Sequence, residues 1–171
     1  LWVLFQLSTY CRPCESYFKM RNLIEPIDVS GDLRHASVII RPFEDDIPTK
    51  NRSFNHGILL DDATMPFLGK LLIRLKKQRI TSLRGQGKTL EEALNEPLWE
   101  FKHKELLNAY KLAGEALGIQ EMTRTVYLLR HGGASRDCLS KRRSLEEIRR
   151  RGNWAVMSSV QKYERSGRVL L

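Results

Sequence analysis

Apolar segments alternate with polar, turn-rich segments along the chain, and their periods predict its first elements. The opening LWVLFQL predicts a buried first helix, because it is too short to span a bilayer and has no basic flank or cleavage site. Pro13, in a first helical turn, predicts a helix through CESYFKMRNLI that stops near Pro26. HASVIIRP and HGILLDD predict two strands, joined by the polar EDDIPTKNRSFN that carries Lys50.

Helical periodicity dominates the rest of the chain. DDATMPFLGKLLIRLKKQR predicts a helix with Asp61 or Asp62 as its N-cap, followed by the basic loop TSLRGQGKT. LWEFKHKELLNAYKLAGEALG predicts a second, with an apolar stripe and Gly118 as its C-cap. A third helix should begin near Glu121 and run through TRTVYLLRHGGASRD. SLEEIRRRG and AVMSSVQKYERS predict two short helices separated by Gly152.

These elements predict a fold that is mainly α with a small antiparallel β-sheet. At 171 residues and 42% hydrophobic, the chain can bury one sizeable core, so we expect a single domain over residues 1–171. Its first residue is Leu1, and we expect it to be a piece of a longer protein. No membrane segment is predicted.

The distribution of charge along the chain predicts a polyanionic partner. The net charge is +9, and residues 130–171 hold eleven Lys and Arg against four Asp and Glu. Residues 63–90 hold seven further bases and no acid. Clustered bases release counterions from a phosphate backbone, although solvated helix faces without a ligand would give the same pattern. Two separate basic surfaces are therefore predicted.

Several common kinds of site are disfavoured. Three cysteines form no disulfide framework and suit a reducing compartment, so we expect an intracellular protein that is not secreted. Cys11 and Cys14 have the spacing of a zinc knuckle or redox pair, but no second pair completes a site, and no metal is predicted. GQGKT is not a phosphate loop, because Ser82 occupies the position where the first glycine is needed.

Arginine, lysine and tyrosine remain as candidates for chemistry. Two guanidiniums can grip a phosphodiester and neutralise the charge that grows in its transition state, so strand transfer can proceed without a metal. A tyrosine can attack the phosphorus if a base or a cationic surround compensates for its pKa of about 10. A lysine can protonate the leaving 5′ oxygen.

Two segments in the first third of the chain resemble motifs of the tyrosine recombinases, the phage integrase and Cre-like family. TYCRPCESYFKMRNLIEPI resembles the first arginine box, with Arg12 and Glu15 at its arginine and glutamate and Tyr10 where glycine is usual. PTKNRSFNHGILLDD resembles the β-hairpin segment that carries the catalytic lysine, here Lys50. The neighbouring Arg52 is an alternative proton donor.

Two segments near the end of the chain complete the resemblance. YLLRHGGASRD resembles the His-x-x-Arg box, with Arg130 as its arginine and Tyr127 in the histidine place. A phenol there can donate a hydrogen bond but is a poor base near neutrality. RGNWAVMSSVQKY resembles the last box, in which Trp154 is followed nine residues later by Tyr163. We expect His131 to be structural.

The resemblance runs from Arg12 to Tyr163 in the family's order and implies a function. It implies a mainly helical catalytic domain that cleaves DNA through a 3′-phosphotyrosyl bond on Tyr163 and rejoins it by a 5′ hydroxyl, as in integration, excision or inversion. No cofactor is required, because the phosphotyrosine stores the energy of the broken bond. Arg12 and Arg130 would hold the phosphate, Trp154 and Tyr127 would contact it, and Glu15 would brace an arginine or cap a helix.

The implied partner is double-stranded DNA, so we expect a DNA-associated protein, which would lie in the nucleus if its source is eukaryotic. We expect this piece to lack the family's upstream DNA-clamping domain and longer C-terminal tail, and therefore to bind DNA weakly and to form a synaptic tetramer only in the full-length protein. Three alternatives stay open: a type IB-like topoisomerase, a catalytically decayed DNA-binding module of a mobile-element relic, and a binder of RNA or acidic partners. The candidate DNA contacts are Arg74, Lys76, Lys77, Arg79, Arg142, Arg143 and Arg150.

Overall fold

The computed structural model describes residues 1–26 and 35–168, apart from the side chains of Met122 and residues 165–168. Within these ranges the chain is mainly helical with one small antiparallel sheet, which confirms the predicted fold class. The helices are α1 (Trp2–Thr9), α2 (Leu68–Gly85), α3 (Leu90–Asn95), α4 (His103–Ala116), α5 (Tyr127–Leu139), α6 (Leu145–Arg151) and α7 (Ser158–Arg168), and the strands are β1 (Leu23–Ile24), β2 (Ser37–Ile40) and β3 (His56–Leu59).

The sheet has the order β1-β2-β3, with both pairs antiparallel. Val38 in β2 lies opposite Leu23 on one side and Ile58 on the other, and all three side chains are buried. The two predicted strands are confirmed. Strand β1 was not predicted, because it has only two residues and lies where a helix was expected.

The helix predicted through CESYFKMRNLI is wrong. Two short 3-10 turns, Pro13–Glu15 and Met20–Asn22, stand in its place. The intervening backbone pairs with a later segment instead of with itself: the Met20 amide donates to the Glu96 carbonyl at 2.9 Å, and the Phe18 carbonyl accepts from the Leu98 amide at 3.1 Å. These bonds satisfy polar groups that a helix would have satisfied internally.

Helix α2 begins and ends later than predicted. Asp62 caps the preceding turn, where its carboxylate accepts from the Thr64 amide at 2.9 Å, and the helix starts only at Leu68. It then runs through most of the predicted basic loop to Gly85, because no proline interrupts that stretch. Thr89 and Glu92 form a capping box that starts α3, a helix that was not predicted.

The later helices follow the prediction more closely. Helix α4 starts at His103 rather than at Leu98, and its end is marked by Gly118 in the left-handed region at φ 67°. Helix α5 begins at Tyr127, six residues after the predicted start near Glu121, behind a 3-10 turn. Two short helices on either side of Gly152 are confirmed as α6 and α7.

Two hydrophobic clusters form the core. The larger joins α1, the sheet and α2, and the smaller lies under α5, α6 and α7. The predicted burial of α1 is confirmed by Trp2 and Phe5, which are 3% and 0% exposed. Helices α1 and α5 approach so closely that a Cβ on Gly133 would lie 2.0 Å from the Leu7 carbonyl oxygen. This contact brings the middle of α5 against the end of α1.

Charged side chains also tie the helices together. Asp137 on α5 is buried and accepts from Arg136 at 3.1 Å and from Arg143 at 3.2 Å. Arg143 also pairs with Asp61 at 2.7 Å, and Arg136 pairs with Asp62. Because each carboxylate has at least one guanidinium partner, the burial of these groups is compensated.

Arg151, at the end of α6, joins this helix to the end of α1 and to the end of β3. Its guanidinium pairs with Asp61 at 2.9 Å and donates to the carbonyls of Ser8 and Leu59 at 2.7 and 2.8 Å. It also lies over the ring of Tyr10, whose hydroxyl donates to Asp137.

Across the described residues, no helix is long and apolar enough to cross a membrane.

Candidate active site

Tyr163 lies on α7 in the smaller hydrophobic cluster. It is 4% exposed and packs with Val160 and Ile148. Its hydroxyl lies 2.5 Å from Nδ1 of His131 on α5. The amphipathic pattern of α7 explains this placement, since Val160 and Tyr163 share the buried face while Lys162 and Glu164 lie at the surface.

Arg130 on α5 is fully buried, and no carboxylate within the described ranges pairs with it. Its Nη1 donates to the Tyr10 carbonyl and its Nη2 to the Gly152 carbonyl at 2.6 Å. Among the described residues its Nε has no hydrogen-bond partner. A buried guanidinium whose hydrogen bonds go to carbonyls lacks a directly bonded counter-ion, and an anion would supply one.

Trp154 connects Arg130 with Tyr163. The guanidinium carbon of Arg130 lies 4.0 Å from the centroid of the indole ring, and the Tyr163 ring meets the indole edge-on at 5.7 Å. Gly152 makes room for the indole, because a Cβ there would lie 1.9 Å from Trp154 Cζ3. The structure therefore brings these three predicted site residues into one cluster.

Arg12 lies beside this cluster, at the end of the loop that follows α1. Its Nη1 donates to Glu15 Oε1 at 2.7 Å, and its backbone amide donates to Glu15 Oε2 at 2.7 Å. Glu15 is buried and both caps the 3-10 turn and braces the arginine. Burial and then the positive charge of Arg12 lower the pKa of Arg130, so the two guanidiniums are electrostatic neighbours.

Tyr127 opens α5 and is 38% exposed. Its ring meets the His131 ring edge-on at 4.9 Å, one helical turn away. On its other side Tyr127 lines a groove of about 470 Å³ with Arg12 and Tyr17. Tyr127 thus lies between the buried cluster and an open surface.

The β2–β3 hairpin places Lys50 near Trp154. Asn51 Nδ2 donates to the backbone carbonyl of Asn153 at 2.6 Å, which fixes the turn one residue before the indole. Lys50 and Arg52 on either side of Asn51 are exposed. Both residues are therefore adjacent in sequence to the Asn51–Asn153 contact.

Burial and charge set the protonation of the two groups that share a hydrogen bond. Burial, only partly offset by Arg130, raises the pKa of Tyr163 to about 12. Burial, Lys162 and Arg130 lower the pKa of His131. At pH 7 the tyrosine therefore keeps its proton and the imidazole is neutral.

The side chains predicted to contact DNA differ in whether they already pair with other groups of the protein. Arg74, Arg142 and Arg150 are exposed, although Arg150 also pairs with Glu146 at 2.8 Å. On α2, Lys76 donates to the Leu23 carbonyl, Lys77 pairs with Glu25, and Arg79 pairs with Glu100. Arg143 is held by the carboxylates of Asp61 and Asp137.

The structure adds residues that sequence reasoning missed or gave another role. His131 was expected to be structural, yet it touches the candidate nucleophile. Its spacing of four residues from Tyr127 on a predicted helix could have placed it on the same face. Tyr10 supplies a carbonyl to Arg130, which no sequence pattern indicates.

The cysteines are free thiols: Cys11 is buried, Cys14 is exposed and Cys138 is half-buried. Burial raises the pKa of the Cys11 thiol to about 12. In residues 1–26 and 35–168, no group of three or more His, Cys, Asp or Glu could hold a metal ion.

Comparisons with protein-family models, curated proteins and solved structures find no match to the chain.

Proposed function

We propose that this chain is the catalytic domain of a tyrosine recombinase, which cleaves and rejoins double-stranded DNA through a covalent 3′-phosphotyrosyl bond on Tyr163. The observation that carries the proposal is the cluster of Arg130, Trp154 and Tyr163. These residues come from α5, the loop after α6, and α7, and they meet around a buried guanidinium whose partners in the described part of the chain are carbonyls rather than carboxylates.

Each residue then has a role in strand transfer. Arg12 and Arg130 neutralise the phosphate, and the Trp154 indole N–H donates to one of its oxygens. Tyr163 attacks the phosphorus, and Lys50 or Arg52 protonates the departing 5′ oxygen. The phosphotyrosine conserves the energy of the broken bond, so rejoining needs no nucleotide cofactor.

Access to the cluster requires movement. Arg130 is 0% exposed and Tyr163 is 4% exposed, so DNA must open the contact between α7 and α5 before a phosphate can reach them. Exposed Arg74, Arg142 and Arg150 are the first candidates to meet the DNA backbone. The same burial favours one second candidate, a DNA-binding module that keeps the fold without cleaving.

A covalent trapping experiment tests the proposal. Nicked duplexes of randomised sequence, which lose a short strand on cleavage, should give a protein–DNA adduct that survives denaturation. Tyr163→Phe should abolish it, whereas Tyr110→Phe should leave it unchanged because Tyr110 lies on α4 and packs against the larger hydrophobic cluster. Arg12→Ala and Arg130→Lys should each lower the cleavage rate about 100-fold or more, provided circular dichroism shows a folded protein.

The outcomes separate the candidates. Absence of any adduct from wild-type protein that binds the same DNA would overturn the enzyme and leave the binding module. Relaxation of supercoiled plasmids without recombinant products would indicate a topoisomerase. An adduct that persists in Tyr163→Phe would assign the chemistry to another residue.

A further inference from the structure

A second titratable side chain touches the reacting atom of the proposed nucleophile. Nδ1 of His131 lies 2.5 Å from Tyr163 Oη, and the two ring centroids are 5.8 Å apart. His131 and Tyr163 come from adjacent helices, α5 and α7. A base for a tyrosine hydroxyl must lie within hydrogen-bond reach of it, and His131 meets this condition.

We propose that His131 is the general base that removes the Tyr163 proton as the oxygen attacks the phosphate. This inference rests on the proposed function and names the proton acceptor for it. The histidine place of the resembling motif holds Tyr127, a phenol that cannot accept a proton readily near neutrality. His131, one turn further along the same helix, supplies the missing base.

Its surroundings keep His131 in the form that can accept a proton. Arg130 on the same helix and Lys162 on α7 are the cations that lower its pKa, in addition to burial. The rings of Tyr127 and Tyr163 lie 4.9 and 5.8 Å from the His131 ring. The neutral imidazole accepts from the hydroxyl, and the edge of Tyr127 fixes the plane of its ring.

The proposed step balances in atoms and charge. The bond from Tyr163 Oη to phosphorus forms while the bond from phosphorus to the 5′ oxygen breaks. The Tyr163 proton moves to Nδ1 of His131, which becomes an imidazolium, and the 5′ oxygen takes its proton from Lys50 or Arg52. During rejoining the 5′ oxygen forms its bond to phosphorus and gives its proton back to Lys50 or Arg52, while the phosphotyrosyl bond breaks and the imidazolium returns its proton to Tyr163.

Single-turnover cleavage of two substrates distinguishes a base from an acid. One substrate is an ordinary nicked duplex, and the other carries sulfur in place of the bridging 5′ oxygen, a leaving group that needs no proton. His131→Ala and His131→Gln should cut the rate about 100-fold or more on both substrates. A lysine that acts as the acid, tested by Lys50→Ala, should be slow only on the oxygen substrate.

Two further measurements separate proton transfer from packing. Imidazole added to His131→Ala should restore cleavage, because it can occupy the space left by the side chain. The pKa of His131 lies below the ordinary histidine value of about 6.5, and the wild-type cleavage rate should level off once the pH exceeds it. The His131→Gln rate should instead continue to rise with pH toward the pKa of Tyr163. His35→Ala, an exposed histidine outside the site, is the matched control.

Each outcome supports or overturns the assignment of His131 as the general base. Wild-type rate and pH profile retained in His131→Gln would overturn the base while leaving the proposed function intact. Rescue of His131→Ala by the sulfur substrate would also overturn it, since His131 would then act on the leaving group. No adduct from wild-type protein on either substrate would overturn both proposals.

Discussion

Substitution of Gly152 by alanine should destabilise the fold through a clash with a single side chain. Gly152 ends α6 at φ −87°, a conformation that alanine adopts freely, so backbone strain is not the cause. The added Cβ would lie 1.9, 2.4 and 2.7 Å from Cζ3, Cε3 and Cη2 of Trp154. The indole is held by Arg130 and Tyr163 and can move only by disturbing them.

The size of the effect follows from these contacts. Forcing a methyl group into a packed site costs about 1–3 kcal/mol. With Trp154→Ala in the background the clash is gone, and alanine in place of glycine should then be neutral or stabilising by about 0.5 kcal/mol. The coupling between the two substitutions should therefore reach about 2 kcal/mol.

Urea unfolding of wild-type protein, both single variants and the double variant measures this coupling. Gly85→Ala is the matched control, because Gly85 ends α2 where an added Cβ would meet no atom within 4 Å, and this variant should be stabilised by up to about 1 kcal/mol. If Gly152→Ala lowered the free energy of unfolding equally in the wild-type and Trp154→Ala backgrounds, the clash with Trp154 would be refuted as the cause.

Two further predictions concern the charged network. Tyr10→Phe should lower the free energy of unfolding by about 1.5–3 kcal/mol, because the Tyr10 hydroxyl donates to the buried Asp137 carboxylate. Tyr17→Phe should be neutral or stabilising, because it removes a buried hydroxyl that has no partner among the described residues. Burial raises the pKa of Asp61, but two guanidiniums outweigh it and the net pKa is lowered. The stabilisation that ionised Asp61 contributes is therefore complete above about pH 5 and is lost as pH falls below about 4. The difference in urea unfolding midpoint between wild type and Asp61→Asn should accordingly narrow below about pH 4.

Sequence periodicity predicted the elements whose partners lie nearby. The strands around Val38 and Ile58 and the helices on either side of Gly152 were confirmed, since their apolar spacing and turn residues act locally. The helix after Pro13 failed because its backbone bonds to residues 96–98, a pairing about 80 residues away that no local pattern encodes. Tertiary pairing there outweighed helix propensity.

The site was predictable as a set of residues but not as a geometry. The resemblance to the recombinase motifs predicted that Arg130, Trp154 and Tyr163 belong to one site, and in the structure Arg130 and Tyr163 both contact Trp154. The sequence could not show that burial raises the pKa of Tyr163 to about 12 or that His131 lies against its hydroxyl. Both depend on how α7 packs on α5, which is a property of the assembled core.

The contacts of Arg151 have a consequence for the order of folding. This arginine bonds to Ser8, which lies 143 positions earlier, and to Leu59 and Asp61. Closing such long loops is entropically slow, so these bonds form after local helices and the sheet. During synthesis Asp61 would lack both of its guanidinium partners until Arg143 and Arg151 have been made, and the final locking of the fold is tied to synthesis of this later segment.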